Sequence, residues 1–211
     1  MPYSLVIFDL DGTLADSFPW FQRNVNEVAD RFGFRRVVDG DVEMLRHAST
    51  RDILAHLKIP RWKLPFIARH VRRLKTEQAA SIPLFDGVEE MLSALAARDI
   101  RLALVSSDTE ANAREKLGAS AALFSDFDCA ASVFGKPAKF RRVLKRAGVH
   151  AARAIAIGDE TRDIEAARAV GIACGAVTWG YAAPNALRAL KPDLVFERME
   201  DIARKLGVTS A

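Results

Sequence analysis

Apolar residues follow two patterns along this 211-residue chain, and the alternation between them predicts its architecture. Short continuous apolar runs at residues 3–10, 102–105, 154–157, 172–177 and 194–196 have the character of strands buried on both faces. Between them, apolar positions recur at helical spacing. Val88, Met91, Leu92 and Leu95 share one face of a segment that Asp86 is placed to cap. Asp108 leads TEANAREKLG, which ends at Gly118. Pro137 opens AKFRRVLKRAG, which ends at Gly148, and the pattern of residues 161–170 closes at Gly171. Proline just inside a start and glycine just past an end are the expected helix punctuation. Strand alternating with helix predicts an α/β core, a parallel sheet with helices on both faces.

Residues 14–81 break the alternation. They hold no strand pattern, but Phe18, Phe21, Val25, Val28 and Phe32 recur at helical spacing and Gly33 follows. Ser49 heads TRDILAHL, with Asp52 placed to complete a capping box, and residues 60–79 give a longer basic helix. This stretch reads as a helical insertion between the first strand and the rest of the sheet.

Composition narrows the class. Hydrophobic residues make up 50% and charged residues 27%, ordinary for a soluble globular protein. No apolar run approaches the roughly 18 residues that span a bilayer. The first residues lack a basic segment and their apolar run ends in acids, so no signal peptide is expected and the cytoplasm is the expected location. Cys129 and Cys174 are expected to be buried, reduced thiols. The formal charge of +4 gathers in residues 61–75 and 139–146. Both stretches interleave charge with apolar positions, so they are expected to be solvated helix faces. No nucleic-acid or membrane partner is expected, and attraction of an anionic small molecule accounts for the charge.

The candidate chemistry lies where the strand runs stop. Asp9 and Asp11 follow the first run, Ser106 and Ser107 the second, Lys136 precedes a helix, and Asp159 and Asp163 follow a later strand. Ligands of α/β sheets collect at that carboxyl edge. Several carboxylates sharing one pocket repel one another, and a hard divalent cation such as magnesium resolves the conflict. Lys136 and Ser106 add a positive charge and a hydroxyl. Together the groups suit a dianion attacked by a carboxylate.

In order, FDLDGTLADS, LVSSD, FGKPAKF and IGDETRDIEAARAVGI resemble the four motifs of the haloacid dehalogenase-like phosphatases. The helical insert resembles the cap of their phosphoglycolate phosphatase and β-phosphoglucomutase branch. The resemblance implies a Rossmann-like core, residues 1–14 and 82–211, with a helical cap, residues 15–81. It implies a magnesium-dependent phosphatase acting on a small phosphate monoester: phosphoglycolate-like, a sugar phosphate or a nucleotide. Asp9 would be the nucleophile that becomes an aspartyl phosphate, and Asp11 the general acid and base. Ser106, Ser107, Lys136, Gly12 and Thr13 would bind the phosphate. Asp9, the Asp11 backbone carbonyl and Asp159 would hold magnesium, with Asp163 as a supporting or alternative ligand. Dehalogenases and phosphonoacetaldehyde hydrolases lack an acid at the position of Asp11, so its presence implies phosphoester chemistry.

In the insert, His47 and Arg51 occupy a polar turn where the family carries a substrate-contacting loop, so they are the expected specificity residues. The simpler reading makes Ser49 a cap and Arg51 a solvated charge. A phosphomutase using the same Asp9 is the alternative activity, and a non-catalytic phospho-acceptor or binding domain the distant one. A monomer or homodimer is expected.

Overall fold

A computed structural model describes residues 3–129 and 135–207. The core is one six-stranded sheet: β1 (Leu5–Phe8), β2 (Arg101–Ser106), β3 (Phe124–Cys129), β4 (Ala154–Gly158), β5 (Ala173–Val177) and β6 (Leu194–Phe196). All neighbours are parallel, in the order β3-β2-β1-β4-β5-β6. This is the expected α/β architecture with a Rossmann-like strand order. Central strands bury both faces, which is why their sequences read as unbroken apolar runs. Val6 and Phe8 face one apolar layer with α5 (Val88–Ala96) and α10 (Glu200–Lys205). Leu5 and Ile7 face the other, with α7 (Lys136–Ala147), α8 (Thr161–Arg168) and α9 (Pro184–Ala189).

The register positions the chemistry. Phe8 pairs with Leu104 on one side and Ile157 on the other. Asp9, one residue further out, and Ser106 and Asp159, two further out, therefore emerge together at the carboxyl edge. The chain runs to one side of β1 for β2 and to the other for β4, so the edge beside β1 is the switch point where such sheets bind ligands.

Four helices lie between β1 and β2: α1 (Phe18–Phe32), α2 (Asp41–His47), α3 (Thr50–His56) and α4 (Leu64–Glu77). The chain enters and leaves this insert side by side. Asp16 N donates to Pro83 O at 2.8 Å, Phe85 N donates to Leu14 O at 2.9 Å, and Ala15 bridges Leu84. The N-terminal end of α3 follows expectation, since Ser49 Oγ accepts from Asp52 N. Among the described residues, no helix is long and apolar enough to cross a membrane.

Several local expectations change. Gly87, not Asp86, precedes α5, with a φ of 79°. Thr109, not Asp108, caps α6 (Glu110–Leu117): its side chain accepts from Asn112 N at 3.1 Å. The basic helix is α4, shorter than residues 60–79 and flanked by single 3₁₀ turns. The sheet also holds a strand absent from the sequence expectation. β3, FSDFDC, is an edge strand, so charge is admissible there. Arg142 clasps Asp128 at 2.9 and 2.7 Å, and Arg146 holds Asp126 at 2.8 Å. Burial pushes Asp128 up, but the arginine hydrogen bonds outweigh it and hold the carboxyl below its usual range. The basic face of α7 is exposed, as expected, and two of its arginines also reach the acids of β3. Cys129 and Cys174 are free, and burial pushes Cys129 up to about 12.

Candidate active site

Asp9 is the first residue past β1, almost fully buried. Its Oδ1 accepts from Leu10 N at 2.9 Å and its Oδ2 from Lys136 Nζ at 2.7 Å. Lys136 opens α7, and its ammonium also binds the Asp163 carboxylate. Asp163 lies in the first turn of α8, where its Oδ2 accepts from the backbone N–H of Asp159 (3.1 Å) and Glu160 (3.0 Å). It therefore caps the helix and anchors Lys136 at once. Asp159 accepts from the Thr13 hydroxyl at 2.8 Å and from Tyr181 N at 2.8 Å.

Gly12 makes this convergence possible. Its φ is 74°, and a Cβ there would sit 2.2 Å from Asp159 Oδ2 and 2.6 Å from Tyr181. Both the backbone conformation and the space exclude a side chain. Gly12→Ala is expected to cost about 1–3 kcal/mol of stability and to displace Asp159. A thermal melt and an activity assay check this; an unchanged melting temperature would show that the loop has room.

The carboxylates differ in how they are compensated. Burial drives Asp159 well above its usual range, reinforced by Glu160, Asp163 and Asp9. Burial likewise raises Asp9 despite Lys136. For Asp163, burial pushes up, but Lys136 and Arg162 outweigh it and the carboxyl is held low. Burial depresses Lys136, yet Asp163 and Asp9 reverse that and raise it.

Asp9, Asp159 and Asp163 each offer an oxygen, all within 4.8 Å of one another. An all-oxygen, buried, net-negative set fits a hard divalent cation such as magnesium. The clearest sign is Asp159: no cationic side chain pairs with it among the described residues, and a buried charge without a counter-charge is costly. Asp163, engaged by Lys136 and two backbone amides, suits a supporting position better than a direct one.

Asp11 lies apart from that trio. Its Oδ2 accepts from Lys75 Nζ at 2.5 Å, and its Oδ1 is buried with no partner among the described residues. Burial pushes its pKa up, but Lys75 outweighs this and holds the carboxyl low and ionised. The same ammonium lies 3.2 Å from Asp108. Lys75 belongs to α4 and is buried, so this basic segment is not solely a solvated face. Lys139, a second lysine of a basic stretch, is also buried and donates to Ser106 O at 2.5 Å.

A cavity of about 510 Å³ opens between insert and core. Asp9, Asp11 and Ser107 line it, whereas Ser106 is buried at the end of β2 with Oγ accepting from Asp108 N at 3.0 Å. His47 and Arg51 do not line it: His47 is exposed and paired to Glu43 at 3.1 Å, and Arg51 is exposed. Arg46, one position from His47, does line it, as do Lys75, Glu160, Arg162 and Tyr181. Sequence reading assigned none of these five to the site, although Glu160 and Arg162 fall inside the fourth motif and Lys75 inside a basic run already noted. Residues 130–134, the lead-in to the third motif, lie outside the described residues.

A doubly wound α/β enzyme with a helical insert over a buried acidic pocket at its switch point is the class that this fold and site define. Residues 6–177 match the haloacid dehalogenase-like hydrolase family. A phosphoglycolate phosphatase from Synechococcus elongatus is 33% identical over 199 residues, covering 93% of this chain and 94% of that protein. Phosphoglycolate phosphatase 1 from Pseudomonas aeruginosa is 26% identical, covering 94% of this chain and 78% of its own. Among solved structures, a haloacid dehalogenase-like hydrolase from Streptococcus pneumoniae superposes with a TM-score of 0.77 at 20% identity, covering 97% and 99% of the two chains. The chain belongs to the haloacid dehalogenase-like hydrolase family, and it is an enzyme of the family's phosphatase type.

Proposed function

We propose that this enzyme is a magnesium-dependent phosphatase that hydrolyses a small, phosphoglycolate-like phosphate monoester through an aspartyl phosphate on Asp9. The observation that carries the reading is that Asp9, which lines the cavity with Asp11, pairs with Lys136 beside the uncompensated Asp159. The names of the similar phosphatases support the choice of substrate.

Asp9 attacks phosphorus in line, and Lys136 stays within reach of both the carboxylate and the phosphoryl oxygens. Ser107, facing the cavity, and Ser106 at the strand end are the hydroxyls placed to hold those oxygens. Asp11 protonates the departing alcohol, then takes a proton from the water that splits the acyl phosphate. Asp9 and Asp159, with the Asp11 backbone carbonyl, would hold magnesium. Bound there, it neutralises carboxylate and phosphoryl charge. Asp163 positions Lys136. The paired crossings at residues 14–16 and 83–85 support a division into a core (residues 1–14 and 82–211) and a cap (residues 15–81) that covers the substrate. Two free thiols fit a reducing compartment, and the cytoplasm is the proposed location.

The test is phosphate release from a panel of small monoesters with magnesium or with EDTA. Chelation is expected to reduce turnover on the order of 100-fold or more, reversibly on adding magnesium back. Turnover that ignores EDTA would overturn the metal assignment, and inactivity towards every monoester would overturn the phosphatase reading.

A further inference from the structure

Among the described residues, three cationic side chains line the cavity, and two are already engaged. Lys75 is held by Asp11 and Asp108. Arg46 donates to Tyr181 O (3.1 Å) and Gly180 O (3.2 Å), and its guanidinium lies 5.3 Å from the Phe18 ring centroid. Those bonds commit its Nε and Nη2 to tying α2 to the loop after β5. Arg162 differs. Its Nη2 binds the Glu160 carboxylate, but its Nε is buried and has no hydrogen-bond partner among the described residues. A buried donor left unmet costs about 1–3 kcal/mol, and guanidinium donors form a planar fork suited to a carboxylate.

Position adds to this. Arg162 projects from the first turn of α8, beside Asp159 and Asp163, and is near enough to Asp9 to help stabilise its charge. The phosphoryl group held by Lys136 would therefore place its leaving group within reach of Arg162. Glu160 already balances part of the guanidinium charge, so the unmet donor suits one negative charge rather than two.

We propose that Arg162 is a specificity residue that binds a carboxylate on the substrate's leaving alcohol, its buried Nε–H serving as the free donor and Glu160 fixing its orientation. The proposal deepens the phosphatase reading by assigning the acid-recognising group to α8 of the core instead of to the cap turn at His47 and Arg51. It also sorts substrates. A monoester of a hydroxy acid gains this contact, and a neutral alcohol of the same length leaves the guanidinium half-satisfied.

The experiment compares phosphoglycolate with 2-hydroxyethyl phosphate, which replaces the carboxylate by a neutral hydroxymethyl, in wild type, Arg162→Gln and Arg162→Lys. The ratio of the two kcat/KM values is expected to fall about 10- to 100-fold in Arg162→Gln, mainly through KM for phosphoglycolate. Arg162→Lys should recover part of it, because the charge returns without the fork. A thermal melt confirms that each variant is folded, and the ratio is insensitive to a uniform loss of active enzyme. An unchanged ratio, or equal losses on both esters, would overturn the proposal and assign Arg162 to the phosphoryl group or to Glu160 alone. A stronger response with ethylene glycol bisphosphate than with phosphoglycolate would overturn the choice of carboxylate. If wild type turns over neither ester, the phosphoglycolate-like substrate assignment fails by itself. Calorimetric affinities of Asp9→Asn and Asp9→Asn/Arg162→Gln for the two esters then decide on Arg162: equal discrimination by both proteins rejects it.

Discussion

Asp9→Asn is expected to lower turnover of every monoester by about 10⁴-fold or more, while making the metal-free protein more stable than wild type. The first effect follows from chemistry, because an amide cannot form the acyl phosphate and losing a covalent nucleophile removes the whole route. The second follows from burial. Asp9 lies in a desolvated pocket with Asp159 and Asp163, and its pKa is raised even though Lys136 bonds to it. A carboxyl whose folded pKa lies above its unfolded value costs stability whenever it is ionised. Asparagine keeps the shape without the charge, and Lys136 retains Asp163 as its partner. In EDTA at neutral pH, the melting temperature should rise by roughly 2–4 °C for each kcal/mol relieved. The gap should close as the pH falls through the raised pKa of Asp9, since protonation gives wild type the same relief. With magnesium the order should reverse, because the ion stabilises the protein that binds it more tightly. Activity above about 1% of wild type would remove Asp9 from the nucleophile's role. A less stable mutant in EDTA would show that the bond to Lys136 outweighs burial.

The parts of this architecture legible in the sequence are those governed by local rules. A strand buried on both faces must be apolar throughout, so β1, β2, β4, β5 and β6 announce themselves, and the polar residues that end them mark the carboxyl edge. Asp9, Lys136, Asp159 and Asp163 are adjacent in space because each directly follows a strand or opens a helix. What escaped depends on contacts between distant segments. β3 has alternating acids, and only the arginines of α7 make them tolerable in a sheet. Lys75 sits among six other basic or polar positions of its helix, and nothing local shows that it faces Asp11 64 residues away. The short α2, α9 and α10 span too few turns for periodicity to register. The expectation for His47 and Arg51 rested on a position in a turn. Which side chains of that turn meet the cavity is set by how α2 docks on residues 180–183, and the docking turns Arg46 inward.

Asp11→Asn should divide the two halves of the reaction. Proton transfer by a positioned carboxyl contributes about 10²–10⁴-fold, so turnover of an alkyl monoester should fall by that factor. An aryl phosphate with an acidic leaving group needs no proton to depart, so Asp9 should still be phosphorylated. Hydrolysis of the acyl phosphate, however, has lost its base. A rapid-mix experiment should therefore show a burst of phenolate close to one equivalent of enzyme, followed by a slow phase, and a burst is not expected with the alkyl ester. Lys75 makes this a sharp test. It holds Asp11 ionised in this structure, the form that accepts a proton from water and not the form that donates one to an alcohol. Acid catalysis thus requires Asp11 to leave Lys75, and base catalysis is compatible with the contact observed. Lys75 is carried by α4, so the position of the helical insert bears directly on which role Asp11 can play. Equal losses on both kinds of ester with no burst would place Asp11 outside both proton transfers and reduce its bond with Lys75 to a tie between the helical insert and the sheet.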